Sequence, residues 1–263
     1  MRISIRGLAL TKTDFFKRLT LSGNALKFIA AFCMVVDHVG IVLFPREEIF
    51  RIVGRIAFPL FAYMLAEGCV YTRNKLKHFL LMLSFASVCQ IGYTVFTKDT
   101  YMSILVTFSI AILLIYVLGF FKNTLFSDKH WIFKILTGLL FVAALVSAYH
   151  LNKSFEIDYG FAGCVLPLLP TVFRKPKGAD GKAWQVLDNK YVHVAMFALG
   201  LSVFSAATGG RQWFSLLAIP LLLLYSEKRG KLKTKYFFYI FYPAHLVLIY
   251  GIDVLISILG RGA

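Results

Sequence analysis

The sequence predicts an all-α, polytopic integral membrane protein, and three observations support this fold class. Of its 263 residues, 59% are hydrophobic and only 16% are charged, whereas a soluble domain carries about 25% charged residues. The mean hydropathy is +0.72. Apolar segments of spanning or near-spanning length follow one another along almost the whole chain. The main apolar contacts of such a chain are with lipid, and we expect no separate soluble domain.

Nine segments are long and apolar enough to be candidate spans, so we predict about nine transmembrane helices in one domain covering residues 1–263. They cover residues 24–44, 50–70, 77–96, 101–121, 131–149, 158–173, 191–208, 211–225 and 236–259. The sixth and eighth are the shortest candidates. Residues 1–23 form a basic N-terminal segment without the apolar core of a signal peptide, and we expect this segment to be cytoplasmic.

The net charge of +16 is distributed unevenly between the loops on the two sides. If nine spans alternate, one set of loops holds 21 Lys and Arg residues and the opposite set holds six. The positive-inside rule therefore predicts a cytoplasmic N-terminus, an external C-terminus and the bacterial inner membrane as the location. Membrane topology explains the basic loops, so the charge does not indicate a nucleic-acid partner. The four cysteines lie within spans without metal-ligand spacing, and we expect no metal site.

The first span contains an adjacent carboxylate and imidazole. Asp37 and His38 interrupt the apolar run ALKFIAAFCMVVDHVGIVLF, residues 25–44. A carboxylate costs at least ~2.5 kcal/mol at bilayer depth, so the pair must face a protein interior or a wet cavity. Histidine changes charge near neutral pH, which suits proton transfer. The alternative is a polar pair that only fixes neighbouring helices.

Several polar side chains are expected at one depth. At ~1.5 Å per helical residue, four of them lie ~8–10 Å below the outer surface. These are Asp37, Arg55, Gln90 and Asp253. Asp158 and Tyr159 open the sixth span at the same surface, so we predict a cavity in the outer half.

Within this cavity Asp37 and Arg55 form the obvious charge pair, either to fix two helices or to bind substrate. His38 is turned ~100° from Asp37 around the helix and is expected to face the cavity. Its orienting carboxylate would be Asp253 or Asp158.

Three further features of the spans bear on the cavity. Pro59 removes the helical hydrogen bond to the carbonyl of Arg55. In the ninth span Pro243 likewise removes the bond to the carbonyl four residues before it, and the nearby His245 is expected at mid-membrane depth. Glu67 ends the second span, where we expect it to extend toward the aqueous surface.

Several motifs, taken together and in order, resemble the TraX family. They are LSGNALKFIAAFCMVVDHVG (21–40), RIVGRIAFPLFAYMLAEG (51–68), YTRN (71–74), SVCQIGY (87–93), IDYGFAGCVLPLL (157–169) and KYFFYIFYPAHLVLIYGI (235–252). The resemblance covers residues 21–252. That family is named for a conjugation protein required to acetylate the N-terminus of F pilin, and it is similar to polytopic membrane acyltransferases.

The resemblance implies an acetyl-CoA-dependent N- or O-acetyltransferase acting on an extracytoplasmic or membrane acceptor, with pilin one candidate. On this reading His38 is the general base, and Arg55 or Gln90 stabilises the developing oxyanion. Asp37 would set the charge of the cavity, and His245 would act on the donor side. The CoA phosphates would meet Arg73, Lys75 and Lys77, while the acceptor site would comprise Gln90, Asp158, Tyr159 and Asp253.

Two other functions fit the same residues. Buried carboxylates and histidines also mark proton-coupled transporters, although the sequence shows none of the repeated halves that many transporters have. A non-enzymatic factor for pilus or envelope assembly would tolerate replacement of Asp37 and His38.

Overall fold

A computed structural model describes residues 20–232, 234 and 236–260, and helices form most of this part of the chain. The helices are α1 (Gly23–Val42), α2 (Glu48–Gly54), α3 (Ala57–Tyr71), α4 (Lys75–Thr97), α5 (Ile104–Leu125), α6 (Trp131–Ser154), α7 (Gly160–Val165), α8 (Leu169–Val172), α9 (Lys182–Leu187), α10 (Lys190–Thr208), α11 (Ala218–Leu223) and α12 (Phe237–Gly260). Two 3₁₀ helices, Leu166–Leu168 and Gly210–Leu217, precede α8 and α11. The basic segment predicted at the N-terminus lies almost wholly outside the described residues.

Seven helical segments of the described chain are long and apolar enough to cross a membrane. They are α1, α2 with α3, α4, α5, α6, α10 and α12. The all-helical, multi-pass prediction is thereby confirmed. The sixth and eighth predicted spans fold as shorter segments, residues 160–172 and 210–223. The count of nine crossings and the side of the N-terminus stay predictions.

The segment 160–172 nevertheless joins the two ends of the helix bundle. It follows Ile157, which forms a bridge with Met102 just before α5. It ends beside the last turn of α5, where Lys122 Nζ donates hydrogen bonds to the carbonyl oxygens of Thr171 (2.9 Å) and Val172 (2.6 Å). We call the end of the bundle with Met102 the Asp37 end and the opposite end the Glu67 end.

The segment 210–223 runs in the same direction. Gln212 near its start contacts Arg55 at the Asp37 end. The carbonyl of Leu224 just beyond it accepts a hydrogen bond from the backbone N–H of Leu21, beside the start of α1, at 2.8 Å. Both short segments therefore run from the Asp37 end of the bundle toward the Glu67 end.

The second span is interrupted between α2 and α3, at Arg55 and Ile56. Pro59 explains the break, because it provides no N–H for the carbonyl of Arg55. Beyond the break, α3 is the central helix of the bundle, and Leu60 and Tyr63 are almost fully buried. The ring of Tyr63 packs edge-on against Phe197 of α10, with centroids 5.4 Å apart.

Two glycines allow α1 and α2 to pack closely. A Cβ added to Gly40 would overlap the side chain of Phe50, and a Cβ added to Gly54 would overlap the side chain of Asp37. Gly54 therefore makes room for the charged group of the first span.

Candidate functional site

A cavity of about 1880 Å³ runs through the bundle. Its lining includes Arg51 and Asp37 near one end and Glu67 and Tyr71 near the other. Arg51 and Tyr71 lie on the same interrupted span, ~30 Å apart at ~1.5 Å per residue. The predicted outer cavity thus extends along most of the length of the bundle. Asp37, His38, Arg55, Asp158 and Tyr159 all line it.

Asp37 pairs with Arg51, not with Arg55 as the sequence suggested. Arg51 Nη1 lies 2.7 Å from Asp37 Oδ1, and both side chains are largely buried. The predicted partner was wrong by about one helical turn, because Arg51 lies within α2 whereas Arg55, four residues later, lies at the break that follows α2. The pair joins α1 to α2 and neutralises the carboxylate at the cavity wall.

Arg55 is held instead by Gln212, a buried residue of the 3₁₀ helix that sequence analysis missed. Arg55 Nη1 donates to Gln212 Oε1 at 3.4 Å. No carboxylate among the described residues lies within 4 Å of Arg55, and its Nε has no hydrogen-bond partner there. Arg55 thus belongs to the cavity lining, while its Nε is buried without a hydrogen-bond partner among the described residues. The glutamine carried no periodic or motif signal that could have singled it out.

His38 contacts a second histidine rather than a carboxylate, so the predicted orienting role of Asp158 or Asp253 is not met. His38 Nδ1 lies 2.8 Å from the carbonyl of Met34 and 3.3 Å from His245 Nε2. His245 Nδ1 lies 2.9 Å from the carbonyl of Phe241. A carbonyl only accepts, so each Nδ1 carries hydrogen in this network, and His245 Nε2 accepts from His38. The remaining lone pair, on His38 Nε2, is available as a base.

Asp158 and Tyr159 form the wall of the cavity opposite α1. The hydroxyl of Tyr101 donates to Asp158 Oδ1 at 2.7 Å. Burial first, and then the Asp158 carboxylate, raise the pKa of Tyr101, so this phenol stays protonated. Tyr159 stacks on Phe58 with centroids 3.8 Å apart, and its left-handed backbone (φ 60°) turns the chain into α7.

Gln90 and Asp253 lie outside the cavity lining, contrary to prediction. Gln90 Nε2 donates to the carbonyl of Tyr101 at 2.9 Å, and its Oε1 accepts from the N–H of Ser103 at 3.1 Å. Gln90 therefore holds the turn between α4 and α5. Gln90 follows the lining residue Cys89 on α4 and Asp253 precedes the lining residue Val254 on α12, so helix rotation directs both away from the cavity.

At the opposite end of the cavity Glu67 forms a buried ion pair. Glu67 is 5% exposed and contacts Arg174, which also lies 3.6 Å from Asp188. Burial alone would lower the pKa of Arg174, but the surrounding acidic groups, Glu67 foremost, raise it overall. The expectation that Glu67 extends to the aqueous surface is therefore wrong.

The cations predicted for a CoA site are not the ones that line the cavity. The three predicted cations are exposed near the start of α4, outside the lining; they are Arg73, Lys75 and Lys77. Lys27 of α1 and Arg229 of the following loop line the Glu67 end instead. Lys27 could have been recognised as a cation inside the apolar run of the first span.

The described residues contain no group of three His, Cys, Asp or Glu side chains that could hold a metal ion. The four cysteines are unpaired. Imidazole, guanidinium, ammonium, carboxylate, phenol and thiol groups line the cavity.

The fold and the cavity define a multi-pass helical membrane protein with a mainly apolar chamber along the bundle, into which several charged and polar residues are built. Within that class, the chain matches the family described as TraX protein over residues 22–253. Since this match covers most of the chain, the protein belongs to the TraX family. No solved structure gives a significant match.

Two curated relatives are similar to the chain. The "Uncharacterized protein RP591" of Rickettsia prowazekii (strain Madrid E) is 28% identical over 138 residues, which cover 52% of this chain and 50% of the relative. The chain thus spans about half the length of that protein. The "Probable fimbrial assembly protein FimC, serogroup H1" of Dichelobacter nodosus is 24% identical over 267 aligned residues, covering 89% of this chain and 96% of the relative.

Proposed function

We propose that the protein is a membrane acetyltransferase that moves acetyl from cytoplasmic acetyl-CoA to an amine or hydroxyl in the membrane or beyond it. The observation that carries this proposal is the cavity that extends from Lys27 and Arg229 to His38 and Arg55. The distribution of basic loops favours the Glu67 end as the cytoplasmic one, in the bacterial inner membrane. The anionic phosphates of CoA would approach the two cations there, and the thioester would extend toward His38.

The geometry near His38 supports acyl transfer. His38 Nε2 takes a proton from the acceptor nitrogen or oxygen, which forms a bond to the acetyl carbonyl carbon. The carbonyl electron pair moves to the oxygen, and the guanidinium of Arg55 in the cavity lining stabilises this oxyanion. Collapse of the intermediate breaks the carbon–sulfur bond, and the departing thiolate receives the proton that His38 holds. His245 keeps His38 in the required tautomer.

The printed name of the Dichelobacter relative supports an acceptor connected with pilus assembly. A pilin N-terminal amine and an envelope hydroxyl or amine both fit the proposed chemistry, since each supplies a nucleophile with a proton to lose.

The test uses inside-out membrane vesicles supplied with acetyl-CoA labelled in the acetyl group. We expect label to enter the membrane fraction, and His38→Ala to reduce this transfer by about 10²–10⁴-fold. The matched control is His150→Ala, because His150 is exposed and lies outside the cavity lining. Full transfer by His38→Ala at equal amounts of folded protein would refute the catalytic role.

The same cavity favours one second candidate, a proton-coupled transporter. Acidic and imidazole groups line it from Asp37 and His38 to Glu67, as a proton path would require. Proton-gradient-driven transport without acetyl-CoA, in vesicles that show no label transfer, would favour this function.

A further inference from the structure

The cavity has a side opening between α4 and α12. The two helices touch near the Glu67 end, where the rings of Phe85 and Tyr239 stack with centroids 4.8 Å apart. Toward the Asp37 end, both helices contribute residues to the cavity lining, from Val88 to Thr97 and from Leu246 to Val254. The chamber is therefore bounded by these two helices on one side.

Several of these lining residues are also highly exposed. Phe96 is 90% exposed, Val247 is 73% exposed and Val88 is 70% exposed. A residue that lines a chamber and is so little covered by the rest of the protein lies at its mouth. In the part of the chain that the structure describes, the chamber is thus open laterally between α4 and α12.

The mouth extends from the Asp37 end of α4 to hydrocarbon depth. Val88 is nine residues before the end of α4 and Gly251 is nine residues before the end of α12, ~14 Å in each case. A bilayer places acyl chains at this depth. The rim is apolar and matches them, whereas Asp37, His38 and Arg55 in the lining are costly to leave facing hydrocarbon.

A molecule with an apolar chain and a polar head group satisfies both surfaces. We propose that an amphiphilic lipid enters through the mouth, with its chain between α4 and α12 and its head group beside Asp37, His38 and Arg55. Resting on the proposed function, this lipid is the acceptor, and its head group carries the amine or hydroxyl that receives acetyl.

Two glycines provide the means to test this. Gly92 of α4 and Gly251 of α12 both line the cavity, and a Cβ added to either meets no atom within 4 Å. Larger side chains at these positions would fill open space at the mouth without overlapping the backbone. Gly92→Trp with Gly251→Trp is therefore the closing variant, and Gly92→Leu is a milder one.

The full-length protein is placed in phosphatidylethanolamine–phosphatidylglycerol vesicles containing a phospholipid with a diazirine near its head group. After irradiation, mass spectrometry measures the lipid attached to peptide 154–174, which carries Asp158 and Tyr159 of the chamber wall. We expect labelling of this peptide to fall on the order of tenfold in the closing variant, equivalent to a loss of ~1.4 kcal/mol in the binding free energy of the lipid. The control is Leu139→Trp, because Leu139 is 60% exposed and lies outside the lining.

Unchanged labelling in both Gly92→Leu and the closing variant, with each protein monodisperse, would overturn the proposal. So would an unlabelled peptide 154–174 in the wild type, which would leave a membrane-protein segment or a soluble molecule as the occupant. Acetyl transfer is measured in parallel. Labelling without acetyl transfer would reject the transferase and keep the lipid site. Acetyl transfer that the closing variant does not change would reject the lipid site and keep the transferase.

Discussion

The ion pair between Glu67 and Arg174 makes a quantitative prediction about what fixes the Glu67 end of the cavity. The two side chains are 6% and 16% exposed, so neither charge is well hydrated if its partner is removed. Breaking a buried pair costs about 3–5 kcal/mol. Arg174 keeps a second carboxylate, Asp188 at 3.6 Å, so Glu67→Gln should cost about 3 kcal/mol, at the lower end of that range.

The double replacement Glu67→Gln, Arg174→Gln removes both charges together. It should cost clearly less than the sum of the single replacements, with a coupling energy of about 2 kcal/mol. The free energy of unfolding would be measured for all four proteins by titration with a denaturing detergent in mixed micelles. The external control is Lys175 with Asp180, which lie 3.4 Å apart with exposures of 47% and 97%.

The control pair is a surface interaction and should contribute at most about 1 kcal/mol. A coupling below about 0.5 kcal/mol for Glu67 and Arg174 would mean that the two residues act independently. That result would refute the placement of Arg174 against α3, and with it the path of the short segment 160–172.

Three further predictions concern other contacts of the cavity wall. Gly54→Ala should displace Asp37, with which a Cβ would overlap, and destabilise the protein by about 1–3 kcal/mol in the same unfolding titration. Lys122→Met should cost about 2–3 kcal/mol, because its ammonium group donates to backbone carbonyls at the end of α8. Arg55→Met should lower acetyl transfer by about 10²–10³-fold while folding is retained, because it removes the proposed oxyanion donor, and Gln212→Ala should lower transfer less.

Each of these has its own control. Gly92→Ala should not destabilise the protein, because its Cβ meets no neighbour within 4 Å. Lys129→Met, at an exposed lysine in the loop after α5, separates lost charge from lost hydrogen bonds. If Gly54→Ala and Gly92→Ala changed stability equally, or if Lys122→Met and Lys129→Met did, the contacts described would be contradicted. Wild-type acetyl transfer by Arg55→Met would remove Arg55 from the mechanism.

The sequence predicted most of the fold because the membrane imposes simple rules on it. Hydropathy located the seven long helices to within a few residues, since each must satisfy its backbone hydrogen bonds within an apolar segment. The break before Pro59 was also predictable from its missing N–H. The segments 158–173 and 211–225 were found and recognised as the shortest candidates, but their 3₁₀ turns were not predicted.

The candidate site was predicted only in part. The cost of burying charge located Asp37, His38 and Arg55 at the chamber, and the structure places all three there. The same depth argument also selected Gln90 and Asp253, which lie outside the lining. The depth of a residue depends on its position along the helix, but the direction of its side chain depends on the rotation of the helix. The side chains of successive residues point in directions that differ by ~100°.

The sequence by itself determined that this chain is a helical membrane protein of the TraX family with costly polar groups inside its spans. Only the tertiary structure decided that Asp37 pairs with Arg51, that His38 contacts His245, and that the chamber opens between α4 and α12. The physical reason is that hydrophobicity acts on each segment separately, whereas pairing and openings arise from how the segments are rotated and packed against one another.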